Sequence, residues 1–382
     1  MTKSKLAVIL LSDQTVPNAL FLKDFENSWD KILFVGTNKT KENNIGNAVL
    51  SVLDNPDYDE IIVDENKTQN INEKLNEYFS KNHFSNILVN ITGGTKIMAL
   101  AAYYYFKNNP PLNSKIKIYY LPIKAAYYID LDTNESIKQN YEFNLPDYIK
   151  ATGNIATIDS IENEELKSKI ASHLFDLYVY KNNYEIIDKI TATLRNYRGS
   201  NNKPLRKKIY EQAEYETEIK NPLINQCQIN EQDLAKFDFR SEDTVDFFTG
   251  GWLEFYTYNE LKQIIQEGQI ATNVKIKNLS KEESVENELD VAFVFKNELH
   301  IIECKTGDVK EILNDVMYKA AQIRSSFGLT AKSHLLILNP SKAISDSQKK
   351  RAKLYNIDLI DYETLKALPL KTIFEKKLNK SS

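Results

Sequence analysis

Across the first 135 residues, short apolar runs alternate with amphipathic stretches. The runs at 6–12, 32–37, 60–64, 87–92 and 115–121 have the length and composition of strands, and helical periodicity fills most of the gaps between them. Strand and helix in alternation predict a doubly wound, Rossmann-like α/β sheet. A further run rich in Tyr and Ile, at about 125–131, is expected to form an edge hairpin with 115–121. From about 144 to 240 the period turns helical, as in 164–180 and 185–197, with polar breaks at 199–202 and at Asn221-Pro222. That stretch predicts a helical connector. Beyond it the pattern predicts helix 244–267, strands 270–279, 289–295 and 299–305, helix 309–327, strand 333–338, helix 345–354 and strand 357–360. A second α/β domain follows, and the chain divides into 1–143, 144–240 and 241–382.

Composition narrows the function classes. Hydrophobic residues at 42% and charged residues at 27% suit a globular protein that folds throughout. The apolar run 6–11 is too short for a signal-peptide core, and no later run approaches the roughly 18 residues of a membrane span. A cytoplasmic protein without membrane contact is expected. Two cysteines, Cys227 and Cys304, support neither a disulfide framework nor an ordinary zinc site. A net charge of -4 argues against strong, unregulated binding to a phosphate backbone. One stretch free of acids, with Arg195, Arg198, Lys203, Arg206, Lys207 and Lys208, reads as a solvated basic surface in preference to a nucleic-acid contact.

Candidate chemistry centres on Glu303-Cys304-Lys305. Glu-x-Lys alone is uninformative, because it recurs at Glu65, Glu165, Glu218, Glu260 and Glu375. Its place in the pattern is informative. Side chains alternate along a strand, so Glu303 and Lys305 share a face. With Lys296-Asn297 as a two-residue turn, Phe295 pairs with Glu298, and the same register sets Asp290 opposite Glu303. Opposed residues have Cβ atoms roughly 4.5–5.5 Å apart, close enough for two carboxylates to hold one cation. Apolar residues on both faces of 299–305 imply a covered strand, where an unpaired acid or base is costly. A bound metal answers that cost; so does a buried ion pair with no catalytic role. Glu254, on the helical pattern anchored by Trp252 and Phe255, is available as a third carboxylate and equally compatible with a solvent-facing position.

Glu254, Asn287-Glu288-Leu289-Asp290 and Glu303-Cys304-Lys305-Thr306-Gly307 together resemble the restriction-endonuclease-like PD-(D/E)xK superfamily over the last third of the chain. The resemblance implies that Asp290 and Glu303 bind Mg²⁺ or Mn²⁺, joined by Glu254, and that Lys305 orients the attacking water and stabilises negative charge. Leu289 stands where the motif has proline. On helix 309–327, among Tyr318, Lys319 and Arg324, Gln322 is the candidate substrate contact.

In the first domain, Asn90-Ile91-Thr92-Gly93-Gly94-Thr95-Lys96 runs from a strand into a helix. Such a junction presents backbone N–H groups and a positive helix end to an anion, and Thr95 and Lys96 add a hydroxyl and a charge. Ordinary turn and N-cap chemistry accounts for the same residues. The spacing is neither a Walker A loop nor a dinucleotide fingerprint. A second polar loop with Ser12, Asp13, Gln14 and Asn18 leaves the first strand at the end where open α/β sheets bind ligands, and Thr37 closes the second strand. These loops on this strand order resemble CARF domains, sensors of cyclic oligoadenylate in type III CRISPR immunity. The combination resembles the CRISPR ancillary nucleases: a CARF sheet, a helical connector and a restriction-endonuclease-like α/β domain. It implies a homodimer, cyclic tetra-adenylate as activator held by Ser12, Asp13, Gln14, Asn18, Thr37, Thr92, Gly93, Gly94, Thr95 and Lys96, and cleavage of single-stranded DNA or RNA or nicking of duplex DNA. Two alternatives are a ligand-responsive transcription regulator with an inactive nuclease fold, and a repair or restriction-like nuclease without ligand control.

Overall fold

A computed structural model describes residues 4–198, 215–239, 241–278, 286–307, 312–341 and 343–379. Of the acid-free basic stretch, Lys203, Arg206, Lys207 and Lys208 lie outside the described residues, as does the polar break at 199–202.

β1 (Lys5–Leu10), β2 (Lys31–Gly36) and β4 (Asn86–Asn90) are continuous apolar runs, because helices cover both of their faces. With β3 (Asp57–Ile62), β5 (Lys115–Tyr120), β6 (Tyr127–Asp130) and β7 (Ser136–Lys138) they form a seven-stranded sheet in the order β3-β2-β1-β4-β5-β6-β7. The first five strands are parallel, and β6 pairs antiparallel with β5, as expected of the edge hairpin. β7, three residues with alternating exposure, adds an outer strand that the pattern did not predict.

The second sheet has the order β13-β12-β11-β10-β9-β8, from β8 (Asn154–Thr157), β9 (Ile270–Asn278), β10 (Asn287–Phe295), β11 (Glu298–Thr306), β12 (Lys332–Leu338) and β13 (Ile357–Ile360). Two departures from expectation occur here. The stretch expected to be a purely helical connector contributes β8, an edge strand antiparallel to β9. The helix expected over 244–267 is divided into Glu242–Asp246 and Trp252–Lys262 by a widened turn, Phe247–Gly251, with Gly250 at φ 159° and ψ −32°.

Each face of the second sheet belongs to a different core. On one face Val291, Phe293, Ile302 and Cys304 pack with Trp252 and with Leu174 and Tyr178 of the connector. On the other, Leu299 and Ile301 of β11 share a core with Leu20 and Phe21 of helix Val16–Asp24 and with Phe143 and Tyr148. First domain and second sheet are thus joined by an apolar core. Polar fastenings flank it: Phe143 N–H donates to Asn297 Oδ1 (2.9 Å), Asn297 Nδ2 donates to Tyr141 O (2.8 Å), and Leu145 N–H donates to Gly268 O (3.0 Å).

Two of the four histidines lie side by side in the connector-side core. His300 Nδ1 and His334 Nε2 are 3.0 Å apart, the rings stack, and His334 Nδ1 meets Asp358 Oδ2 at 3.0 Å. Burial depresses both imidazoles below the ordinary value of 6.5; the other charges facing them are Lys332 and Lys377. The unfolded chain therefore takes up protons near pH 6.5 that the folded protein resists, so this contribution to stability is present above that pH and lost as pH falls below it. His300→Phe, which keeps the stacking on Phe293, should flatten the acid side of the stability profile in urea unfolding. An unchanged profile would show that the pair is not the group titrating.

Candidate functional site

The β10–β11 hairpin turns at Lys296 (φ 49°) and Asn297 (φ 58°), both left-handed, which matches the right-handed twist of the flanking strands. Its register runs from Phe295↔Glu298 to Val291↔Ile302, the alignment expected from the sequence. At Asp290 the strand leaves the regular ladder. Cys304 N–H donates to Asp290 Oδ2 at 2.7 Å, and Asp290 O accepts from Thr272 Oγ1 at 2.7 Å. The carboxylate is thereby fixed by the backbone of the strand that carries its partners.

Lys305 stands between the two acids. Its Nζ lies 2.6 Å from Glu303 Oε1 and 3.3 Å from Asp290 Oδ2, and donates to Cys304 O at 3.0 Å. Glu303 and Asp290 are each 14% exposed and Lys305 27%, so the cluster is largely desolvated with one open side. Cys304 points the other way, its Sγ 3.7 Å from Thr257 Oγ1 on the helix Trp252–Lys262. That helix brings Glu254, in its first turn, within electrostatic reach of Asp290, Lys305, Glu288 and Glu303.

Burial and the crowding of acids raise two of the carboxyls. Burial, then the charge of Glu303, pushes Asp290 up from 3.8 to about 6, against the pull of Lys305 and the Cys304 N–H. Burial and Asp290 push Glu254 well above the ordinary carboxylate range. Burial alone would lower Lys305, but Asp290 and Glu303 outweigh it and hold the ammonium protonated. Three acids around one lysine leave a surplus of negative charge, which a further cation would relieve. Among the described residues no three His, Cys, Asp or Glu side chains are grouped to enclose a metal ion. The donor set still fits a hard divalent cation of the Mg²⁺ type, which is commonly bound through one or two carboxylates and completes its shell with water and substrate phosphate.

Of the expected quartet, Asp290, Glu303 and Lys305 are therefore brought into contact, and Glu254 lies within electrostatic reach of them. Gln322 is not drawn into it: the helix Leu313–Ser325 buries Leu313, Met317 and Ala320 against Leu335 and Ile337, leaving Gln322 on the solvent face. Glu288 was overlooked: it stands exposed on β10, within electrostatic reach of Glu254. So was the role of Arg195, whose Nη2 donates to Thr249 O (3.0 Å) and Thr306 Oγ1 (3.4 Å). Thr249 precedes the helix of Glu254 and Thr306 follows Lys305, so this guanidinium ties together the two elements that bear the site. Arg195→Ala should lower single-turnover cleavage roughly 10- to 100-fold with the fold retained by circular dichroism, because small displacements of a preorganised site are costly. Wild-type rates would remove it from the site's support.

In the first domain β1 lies between β2 and β4, so the loops leaving their carboxyl ends meet where the strand order reverses. Ser12, Asp13, Gly94, Thr95 and Lys96 reach its surface. Asp13 pairs with Lys39 at 2.7 Å, and Thr95 caps helix Lys96–Asn108 by accepting from Met98 N–H. Asn18 is fully buried, its amide donating to Leu10 O and its Oδ1 accepting from Asn90. Thr92 Oγ1 accepts from Leu121 N–H, and Thr37 caps helix Asn38–Glu42 in a reciprocal box with Thr40. Asn18, Thr92 and Thr37 thus brace the loops. Gly93 packs so closely that a Cβ would sit 2.1 Å from Leu10 O. Gly93→Ala should cost on the order of 3 kcal/mol or more in chemical unfolding; an unchanged midpoint would mean the loop can yield.

Comparison with known proteins follows the same division. The family model of the Card1 CARF domain matches residues 6–148, and that of the Card1-like endonuclease domain matches residues 241–377. Protein VC1899 from Vibrio cholerae shares the fold with a TM-score of 0.74 and 21% identity, covering 99% of each chain. Can2 from Sulfobacillus thermosulfidooxidans, solved in complex with cyclic tetra-adenylate, has a TM-score of 0.67 and 24% identity over 98% of this chain and 99% of that one. At these identities the likeness is one of fold. No curated protein matches the chain significantly. With a Card1 CARF domain ahead of a Card1-like endonuclease domain, the chain belongs to the Card1-like family of CARF nucleases.

Proposed function

We propose that this protein is a metal-dependent endonuclease, switched on by cyclic tetra-adenylate, that cleaves single-stranded DNA or RNA, or nicks duplex DNA, in the cytoplasm during type III CRISPR antiviral defence. The observation that carries the catalytic part is Lys305 set between Asp290 and Glu303, two carboxylates on one ammonium, with Glu254 within electrostatic reach. Asp290 and Glu303 would hold Mg²⁺ or Mn²⁺, with Glu254 completing the acidic wall. When bound, the ion supplies a more acidic water and polarises the scissile phosphate. Lys305 stays protonated, orients the attacking water and offers its charge to the phosphate oxygen as negative charge develops there.

The sensing part is supported by the CARF match and by the crevice at the switch point of the first sheet. The Can2 complex with cyclic tetra-adenylate supports the choice of ligand. Next to Thr95 and Lys96, helix Lys96–Asn108 exposes Ile97, Leu100 and Tyr104 at helical spacing, a stripe suited to a second copy of the chain. A homodimer with the cyclic ligand on its two-fold axis follows.

The test is cleavage of single-stranded DNA, single-stranded RNA and supercoiled plasmid in Mg²⁺, Mn²⁺ or EDTA, with cyclic tri-, tetra- or hexa-adenylate or none. Cleavage that needs metal and rises with the tetra-adenylate is expected. Equal cleavage with and without nucleotide would sink the switching, and cleavage surviving in EDTA would sink the metal.

A further inference from the structure

We infer that Gln14 is the positioning residue through which the sensor's first loop is fastened to the nuclease domain, and that it sets how strongly ligand in the crevice alters cleavage; this rests on the ligand-switched reading above.

Gln14 follows β1, in the crevice loop, and would ordinarily be counted as a ligand contact. Its backbone is tied into a tight turn, with its N–H donating to Ser12 Oγ at 3.3 Å. Its side chain turns away from the loop: Oε1 accepts the backbone N–H of Leu329, 315 residues further along the chain, at 3.0 Å. The receiving turn is shaped for this contact. Gly328 has φ 93°, and a Cβ there would lie 2.7 Å from Gln14 Oε1, so an alanine at this left-handed position would push the amide off the Leu329 N–H.

What Gln14 holds leads straight to the catalytic strand. Gly328 and Leu329 lie between helix Leu313–Ser325 and β12, and β12 is the parallel partner of β11, with Leu335 beside Glu303 and Ile337 beside Lys305. Around the hydrogen bond, Ile323, Phe327 and Ala331 lie in the same core as Leu20 and Phe21, from the helix that continues the crevice loop. An apolar joint tolerates sliding, because dispersion and burial are non-directional. A side chain to backbone hydrogen bond fixes its register. A displacement of the Ser12–Gln14 turn by ligand therefore pulls on the Gly328–Leu329 turn or releases it, and either changes the balance between the nuclease domain's arrangements.

The experiment is a double-mutant cycle on the full-length protein. Gln14→Met removes the acceptor at similar volume, Gly328→Ala blocks docking from the other domain without touching the crevice, and Gln14→Glu keeps an acceptor. For each, cleavage with and without cyclic tetra-adenylate is measured, and nucleotide binding is followed by calorimetry. Gln14→Met and Gly328→Ala are each expected to change the ratio of stimulated to basal cleavage by about fivefold or more. The double variant should change it no further than either single one, and Gln14→Glu should stay near wild type. Weakened nucleotide binding in Gln14→Met alone would make Gln14 a ligand contact and overturn the inference. Lower melting temperatures with an unchanged stimulation ratio would make the bond merely structural and overturn it as well. A wild-type protein indifferent to the nucleotide would refute the switched reading itself, and with it any coupling; a responsive wild type with equally responsive variants would refute the inference alone.

Discussion

In EDTA at about pH 8, Asp290→Asn is expected to melt several degrees above the wild type while cleaving on the order of a hundred- to a thousandfold more slowly in Mg²⁺ or Mn²⁺. The stability gain follows from Asp290 being held at about 6 in place of 3.8, chiefly by burial and then by Glu303. Keeping that carboxylate ionised costs the fold on the order of 2–3 kcal/mol. Asparagine retains an oxygen for the Cys304 N–H and removes the charge. Part of the gain is offset, since Lys305 loses one of its two carboxylates. A group whose folded value is raised costs stability above that value, and the cost disappears as pH falls through it toward the unfolded value. The difference between variant and wild type should therefore close as pH drops from about 7 to about 4. Divalent metal should stabilise the wild type and leave the variant nearly unmoved in thermal unfolding. A variant that melts below the wild type throughout would mean that the carboxylate is structural.

Lys305→Met should be as inactive and respond oppositely in stability. The methionine fills the volume of the lysine stem but leaves Glu254, Asp290 and Glu303 without their cation. Removing one partner from a buried charged cluster typically costs about 3–5 kcal/mol, and the part-exposure of Lys305 halves this to roughly 2 kcal/mol. A fall of several degrees is expected at about pH 8, recovering as pH falls and Asp290, already raised by burial, takes up its proton. Opposite shifts in melting temperature from two equally inactive variants separate the charge imbalance from general damage to the site. A Lys305→Met protein as stable as the wild type would show that the acids do not depend on this ammonium.

How much of this was legible in the sequence depended on range. Strand and helix alternation exposed both sheets, because burial on one or both faces writes its period into local sequence. The hairpin register follows from a two-residue turn and aligns Asp290 with Glu303; the structure keeps that alignment to Val291 and then substitutes the Asp290 carboxylate for a ladder acceptor. β8 escaped notice, since four residues of mixed exposure acquire a strand's identity only by pairing with Lys275–Asn278 more than a hundred positions away. Gly250 was visible, but the division of the helix there depends on contacts that local periodicity does not contain. Arg195 is solvent-exposed, as the acid-free stretch implied, but its hydrogen bonds to Thr249 and Thr306, like that of Gln14 with Leu329, join positions distant in sequence and leave no local signal.

The core shared between helix Val16–Asp24 and β11, together with the edge strand β8, bears on descent. Residues 241–377 form a continuous unit of sequence but not a self-sufficient one. Separated from the sensor, Leu289, Ala292, Leu299 and Ile301 would lose the cover of Leu20, Phe21, Phe143 and Tyr148 and keep only that of Ile323, Phe327 and Ala331. An unrelated sensor grafted in front would have to reproduce that complementary surface at the first step.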